Sequence, residues 1–216
     1  MHIPALFARR RQAALAGLIA LLWIVPAGRA QELRPIQLPK PQMTAGMPLM
    51  QALAERKTTR AFQDKPLSEQ TLSNLLWAAF GVNRPREVKP GLGRTAPSAM
   101  NKQEIEIDVV LASGVYVYDA EVNLLRPVVG GDLRAKMGAP PAGQAAVTLV
   151  YVASANLDYA QVDTGFIGQN VYLFCASEGL AAVFRASLDR AKLAQTLKLP
   201  ATKFITCVQT VGYPKG

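Results

Sequence analysis

The feature that most constrains the fold is a change of period near residue 104. Before it, apolar residues recur at helical spacing, as in "PLSEQTLSNLLWAAFGV" from Pro66 to Val82. After it, "EIEIDVVLAS" and "VYVYD" alternate as strands do, around a turn at Ser113 and Gly114. "AAVTLVYVAS" is a short apolar run typical of a central strand. "LAAVFRAS" and "TKFITCVQTVGYP" add two more strands, and helical patterns lie between them. Helices first and then strands and helices mixed imply an α+β fold, a sheet covered by helices.

The helices carry their own punctuation. Pro48 opens "PLMQALAERK", with Leu49, Leu53 and Met50 expected inward. Ser68 is placed to cap the helix carrying Leu72, Leu75, Leu76, Ala79 and Phe80, and Gly81 to end it. Asp163 is the expected cap of "DTGFIGQNVYLFCASEG", whose Gly165 and Gly168 permit close packing. "GGDLRAKMG" reads as a brief helix, and "LDRAKLAQTLKL" as an amphipathic one stopped by Pro200. Asp119 to Arg126 fits no pattern well. Asn83 to Ala96 reads as a long exposed loop.

Residues 1–30 have the pattern of a secretory signal peptide: Arg9 to Arg11, an apolar run from Ala13 to Val25, and small residues ending at Ala30. Cleavage there implies export to the bacterial periplasm; a retained anchor is the alternative, and the export route is open. Residues 31–47, with three prolines, read as a linker or N-terminal arm, and 48–216 as a single domain. Removing the signal takes away four arginines and lowers the formal charge from +9 to +5. It also removes His2, the only histidine, which excludes a Ser-His-Asp or Cys-His nucleophile and a histidine metal site. No metal site is expected. The lysines are scattered, so nucleic acid is not an expected partner. Cys175 and Cys207 fall in buried-looking patterns without a CxxC, and read as small apolar residues more than as a disulfide.

The segment "RKTTRAF", Arg56 to Phe62, raises the functional question. In an extended chain Arg56, Thr58 and Arg60 share one side, giving two guanidiniums and a hydroxyl suited to a phosphate. A solvated charged edge is the equal competitor. No GxxxxGK[ST] is present, and "GLGRTAPSA" fails as a dinucleotide loop because Pro97 interrupts it. A phosphate would be held by side chains.

Five stretches in order, "ERKTTRAF", "PLSEQTLSNLLWAAFGVNR", "RTAPSAMNKQ", "GQNVYLFCASEGLAAV" and "VGYP", resemble the nitroreductase-like FMN oxidoreductases, and most of all the azoline-dehydrogenase-like branch. The resemblance spans Met47 to the C-terminus. It implies a mixed or antiparallel sheet covered by helices, and a domain-embracing homodimer with two FMN sites between subunits. It places Arg56, Lys57, Thr58 and Arg60 on the FMN phosphate and ribityl chain, with threonine where the family has serine. Pro97, Ser98, Ala99, Asn101 and Gln103 match the loop that lies against the partner's flavin. Gln169 and Asn170 fall in the helix of the dimer core. Arg185-Ala186 stands at the family's Glu-Gly step, whose backbone N–H meets flavin N5, and Lys215 at the basic residue that reaches the phosphate.

The implied function is an exported FMN-dependent oxidoreductase passing hydride through flavin N5 to or from a small-molecule or peptide substrate, with an unnamed electron donor or acceptor. A flavin- or anion-binding envelope protein without turnover is the alternative, and a purely structural dimer a third. Ordinary roles compete at single positions: Ser98 and Asn101 as loop hydrogen bonders, Arg185 as a partner of Asp189, and Trp77, Phe80, Tyr116, Tyr118 and Tyr172 as packing residues.

Overall fold

The computed structural model describes residues 32–44, 46–84, 93–138, 144–154 and 157–216. The expected signal peptide and most of the loop after Asn83 lie outside the described residues. The elements are β1 (Ile36–Gln37), α1 (Leu49–Glu55), α2 (Glu69–Phe80), β2 (Val82–Arg84), β3 (Gly93–Arg94), β4 (Ile105–Leu111), β5 (Gly114–Asp119), β6 (Leu124–Gly130), β7 (Val147–Ala153), α3 (Leu157–Ser177), β8 (Ala181–Arg185), α4 (Arg190–Leu197) and β9 (Phe204–Gly212).

Seven strands form one sheet in the order β1-β6-β5-β4-β7-β9-β8, and every pairing is antiparallel. On one face, Leu72, Leu75, Leu76 and Phe80 of α2 and Ile167 and Val171 of α3 pack with Ile107, Val109, Tyr116 and Tyr151. On the other, Leu193 and Leu197 of α4 pack with Val110, Val150, Val152 and Val208. Covering on both faces is why β7 is buried at every residue and is apolar but for Thr148, whose hydroxyl bonds to that of Thr210. Cys175 and Cys207 are free thiols packed among these residues, and burial pushes both upward from the ordinary thiol value.

Local rules account for α2: the Ser68 side chain accepts from the Thr71 N–H, and the chain leaves the helix at Gly81. They fail at four places. α3 begins six residues before Asp163, so Asp163 is not a cap but a fully buried mid-helix residue; its carboxylate is committed to another loop. α1 buries Ala52 alone and leaves Leu49, Met50 and Leu53 exposed, opposite to the expected inward face. Residues Leu124–Gly130, unread in the sequence, form β6, despite Pro127 and a register shift near Val115 and Tyr116. The expected brief helix is a single 3-10 turn at Arg134–Lys136.

The arm of residues 31–47 lies in part on its own chain. Ile36 pairs with Leu125, Leu38 is buried in the main core, and the Asn123 side-chain amide donates to the Pro39 carbonyl at 2.8 Å. The C-terminal tail is tied to the segment after α1: the Gln63 N–H donates to the Tyr213 carbonyl at 2.9 Å and the Lys215 N–H to the Ala61 carbonyl at 3.1 Å. Phe62 anchors this junction, buried with Ala145, Ala181 and Val183. Residues far apart in sequence, 56–63 and 213–215, are thereby held side by side.

Candidate functional site

The segment after α1 runs past β8, where the Thr59 N–H donates to the Ala182 carbonyl at 2.9 Å. Tyr172 of α3 organises it. The Arg56 guanidinium carbon lies 5.4 Å from the centre of the Tyr172 ring, and the Thr58 and Tyr172 hydroxyl oxygens are 2.9 Å apart. The Tyr172 oxygen also accepts from the Phe184 N–H at 2.9 Å, which ties the tyrosine to β8. Arg56 and Thr58 therefore share a neighbour, as alternate residues of an extended segment should.

Beside this cluster is a cavity of about 660 Å³ lined by Glu55, Arg56, Lys57, Tyr172, Cys175 and Lys215, among others. Three cationic side chains thus meet one acidic one. Among the described residues none of Arg56, Lys57, Arg60 and Lys215 takes part in an ion pair. Thr58 and Arg60 do not line the cavity; both are exposed on the segment bordering it.

The Pro97–Gln103 loop is built elsewhere. Buried Asp163 accepts the Ala99 N–H on both carboxylate oxygens, at 3.1 and 3.2 Å. Ser98 Oγ accepts the Gln103 N–H at 2.7 Å, Gln103 Nε2 donates to Asn101 Oδ1 at 2.7 Å, and Arg94 Nε donates to Gln103 Oε1 at 2.8 Å. Met100, Asn101 and Gln103 all have positive φ, a tight turn that these side-chain bonds hold in place. Pro97 and Asn101 are exposed. Asp163 and Cys175 are twelve residues apart on α3, or about 18 Å along its axis. One chain therefore does not bring the loop to the cationic cavity. Asn170, between them, donates to the carbonyls of Ala78 at 3.0 Å and Thr95 at 3.3 Å, fastening α2 and the loop to α3.

Arg185 closes β8, with Val208 as the last paired partner, and Ala186 is exposed just beyond. Its guanidinium turns to the sheet face away from α3, donating to the Met137 carbonyl and to Thr210 Oγ1, both at 3.1 Å. Burial lowers its pKa from the ordinary arginine value. A Cβ on Gly138, whose φ is +119°, would lie 2.3 Å from the Arg185 head group. The alternative Arg185–Asp189 pair does not form; Asp189 caps α4 by accepting the Lys192 N–H at 3.0 Å.

Sequence reasoning missed two members of this architecture. Tyr172 read as packing, since nothing in a helical stripe distinguishes a tyrosine whose hydroxyl bridges two other segments. Asp163 read as a cap because a short polar residue before an apolar run usually is one. Phe80, Tyr116 and Tyr118 are core residues, as their spacing indicated.

Comparison with known proteins agrees with the architecture. The profile described as Nitroreductase family matches residues 53–213. MJ1384 of Methanocaldococcus jannaschii, classed as a nitroreductase, is 30% identical over 173 residues, covering 70% of this chain and 84% of its own. A solved Ralstonia eutropha structure of the same class superposes with a TM-score of 0.78 at 38% identity, over 85% of this chain and 91% of that one. The Escherichia coli microcin synthetase McbBCD complex, bound to a truncated pro-MccB17, matches with a TM-score of 0.63 at 19% identity, over 93% of this chain and 85% of that one, a likeness of fold alone. An antiparallel sheet between two helical layers, the order of the motifs and a family match over most of the length point the same way: this chain belongs to the nitroreductase family.

Proposed function

We propose that the protein is an exported, FMN-dependent oxidoreductase that works as a homodimer on a small-molecule or peptide substrate. Membership of the nitroreductase family supports the coarser statement, a flavin-dependent oxidoreductase. The observation that carries the FMN reading is the convergence of Arg56, Lys57 and Lys215 on one cavity with no ion pair among them. Uncompensated cations held by packing, as Arg56 is by Tyr172, suit a dianionic phosphate monoester.

In this reading Arg56, Lys57 and Lys215 hold the phosphate, with Thr58 and Arg60 at its border. When bound, the flavin supplies the redox chemistry by accepting or giving a hydride at N5. The chain binds and orients; no side-chain nucleophile is required, and the lack of histidine in residues 31–216 is no obstacle. The Arg185-Ala186 step would offer a backbone N–H to the flavin ring, while the Arg185 head group stays engaged with Met137 and Thr210.

The loop serves the other subunit. Pro97, Ser98, Ala99, Asn101 and Gln103 are anchored toward one end of α3 and the cations toward the other, so an antiparallel pair of copies would bring each loop to its partner's cavity. Tyr159, Val162 and Phe166 support this pairing: they are exposed at i, i+3 and i+7, an apolar stripe on the outer face of α3. Export rests on the pattern of residues 1–30, the azoline-dehydrogenase-like branch on the sequence resemblance. A periplasmic enzyme would draw on a reductant other than cytoplasmic NAD(P)H.

The test is the absorption spectrum of protein purified from its own compartment, with the released chromophore identified, followed by FMN titration of Arg56→Ala and Lys215→Ala. FMN in the native protein and an affinity loss of roughly tenfold or more per cation support the proposal. A colourless protein that takes up no added FMN refutes it.

A further inference from the structure

A second cleft, of about 430 Å³, lies at the far end of β4 and β5. None of the cations of the first cavity lines it. The strand pleat sends Glu104, Glu106 and Asp108 to one face of the sheet, the face away from α3. Asp108 is paired with Val117 at the last rung of the β4–β5 ladder, and beyond it Glu106, Asp119 and Glu121 line the same cleft as Glu104. Four acidic residues thus line one cleft, with Glu104 the buried one among them.

Most of that charge is already answered. Lys203 Nζ donates to both Glu106 oxygens, at 2.7 and 2.9 Å, and Arg126 donates twice to Asp119 Oδ2, at 2.9 and 2.6 Å. Arg94 on the wall is committed to Gln103 and to the Phe80 carbonyl. Glu104 is different. It is 8% exposed, and neither carboxylate oxygen has a hydrogen-bond partner among the described residues. Its backbone carbonyl does accept from the Ser154 N–H, so the chain position is fixed while the side-chain head is unanswered. An unpaired carboxylate withdrawn from water is costly, and sites that keep one usually supply the counter-charge from elsewhere.

We propose that this cleft receives the ammonium or guanidinium end of a small molecule or peptide, with Glu104 as its anchor. The two oxygens of Glu104 accept N–H bonds from the cation, and Val152 and Ser154 supply neutral lining. A metal ion fits less well, because among the described residues no three ligating side chains converge. The volume lies within the range of small-ligand pockets. Gln103 lines this cleft and belongs also to the loop assigned to the partner's flavin. On that reading the cleft would favour amine-bearing substrates. Cation binding itself does not depend on flavin.

The experiment is a titration of the protein, without added flavin, by N-acetyl-lysine methylamide, with N-acetyl-norleucine methylamide as the neutral match, followed by NMR of the β4 and β5 amides. Saturable shifts at Glu104 and its neighbours are expected with the lysine compound only, weakened roughly tenfold or more in Glu104→Gln. Glu104→Met serves as a second variant, and thermal unfolding of both checks that the fold is kept. Equal shifts with the norleucine compound, unchanged binding in folded variants, or no saturable shift would each overturn the proposal. A failure here leaves the FMN titration untouched, since the two experiments share no ligand.

Discussion

Asp108 offers a quantitative test of how the sheet is built. It sits in the middle of β4, 1% exposed, with one carboxylate oxygen unpartnered. Burial pushes its carboxyl from the ordinary 3.8 up to about 7; neighbouring Glu106 adds to the rise and Lys203 opposes it. The folded protein therefore keeps a proton that the unfolded chain has released, over the window between pH 3.8 and about 7. Stability from this group is complete at the acid end and is lost as pH rises through the window. At 1.36 kcal/mol per pH unit, a rise of about three units amounts to about 4 kcal/mol. Asp108→Asn removes the titration while keeping the shape. The assay is urea unfolding of both proteins at intervals from acid to slightly alkaline pH, subtracting one stability from the other so that all other carboxylates cancel. The advantage of asparagine should grow by about 4 kcal/mol from the acid to the alkaline end. At the acid end the variant should be equal or slightly weaker, because its amide leaves a buried donor of its own. A difference that does not change with pH would refute the reasoning, showing that water or movement solvates this carboxylate.

Three further outcomes are expected. Gly168→Ala should destabilise the fold by about 1–3 kcal/mol in urea unfolding, since the new Cβ would lie 2.5 Å from the Phe184 ring. Asp163→Ala should cost about 1.5–3 kcal/mol and speed hydrogen exchange at the Ala99 amide, the donor it leaves unpaired. Tyr172→Phe should cost about 1–2 kcal/mol and weaken FMN binding, because the hydroxyl joins Thr58 to the Phe184 N–H.

Where a segment's neighbours in space are also its neighbours in sequence, the sequence was readable. α2 shows this: Ser68, the apolar repeat and Gly81 are a helix's own start, face and end. β7 is legible for a related reason, since a strand covered on both faces needs a nearly continuous apolar run. β6 was not, because Pro127 interrupts the pattern and the residues Leu-Leu-Arg-Pro-Val-Val-Gly do not alternate in polarity, although exposed and half-buried positions alternate from Arg126 to Gly130. The outward face of α1 was misread because periodicity states that a helix has an apolar side, and not what that side will meet.

The same division runs through the candidate site. The sequence by itself determined which chemistry was possible: two arginines and a threonine in an extended segment, a loop rich in hydrogen-bonding side chains, and no histidine beyond position 2. Only the tertiary structure decided which of these meet. Lys215 joins Arg56 and Lys57 because the C-terminal tail pairs with residues 61–63, while the loop at Ala99 is drawn to the other part of α3 by Asp163. Those are contacts across tens of residues, set by sheet order and helix packing. Local propensity carries no information about them, because a hydrogen bond or a buried charge depends on what stands opposite, and that is fixed only when the whole chain has folded.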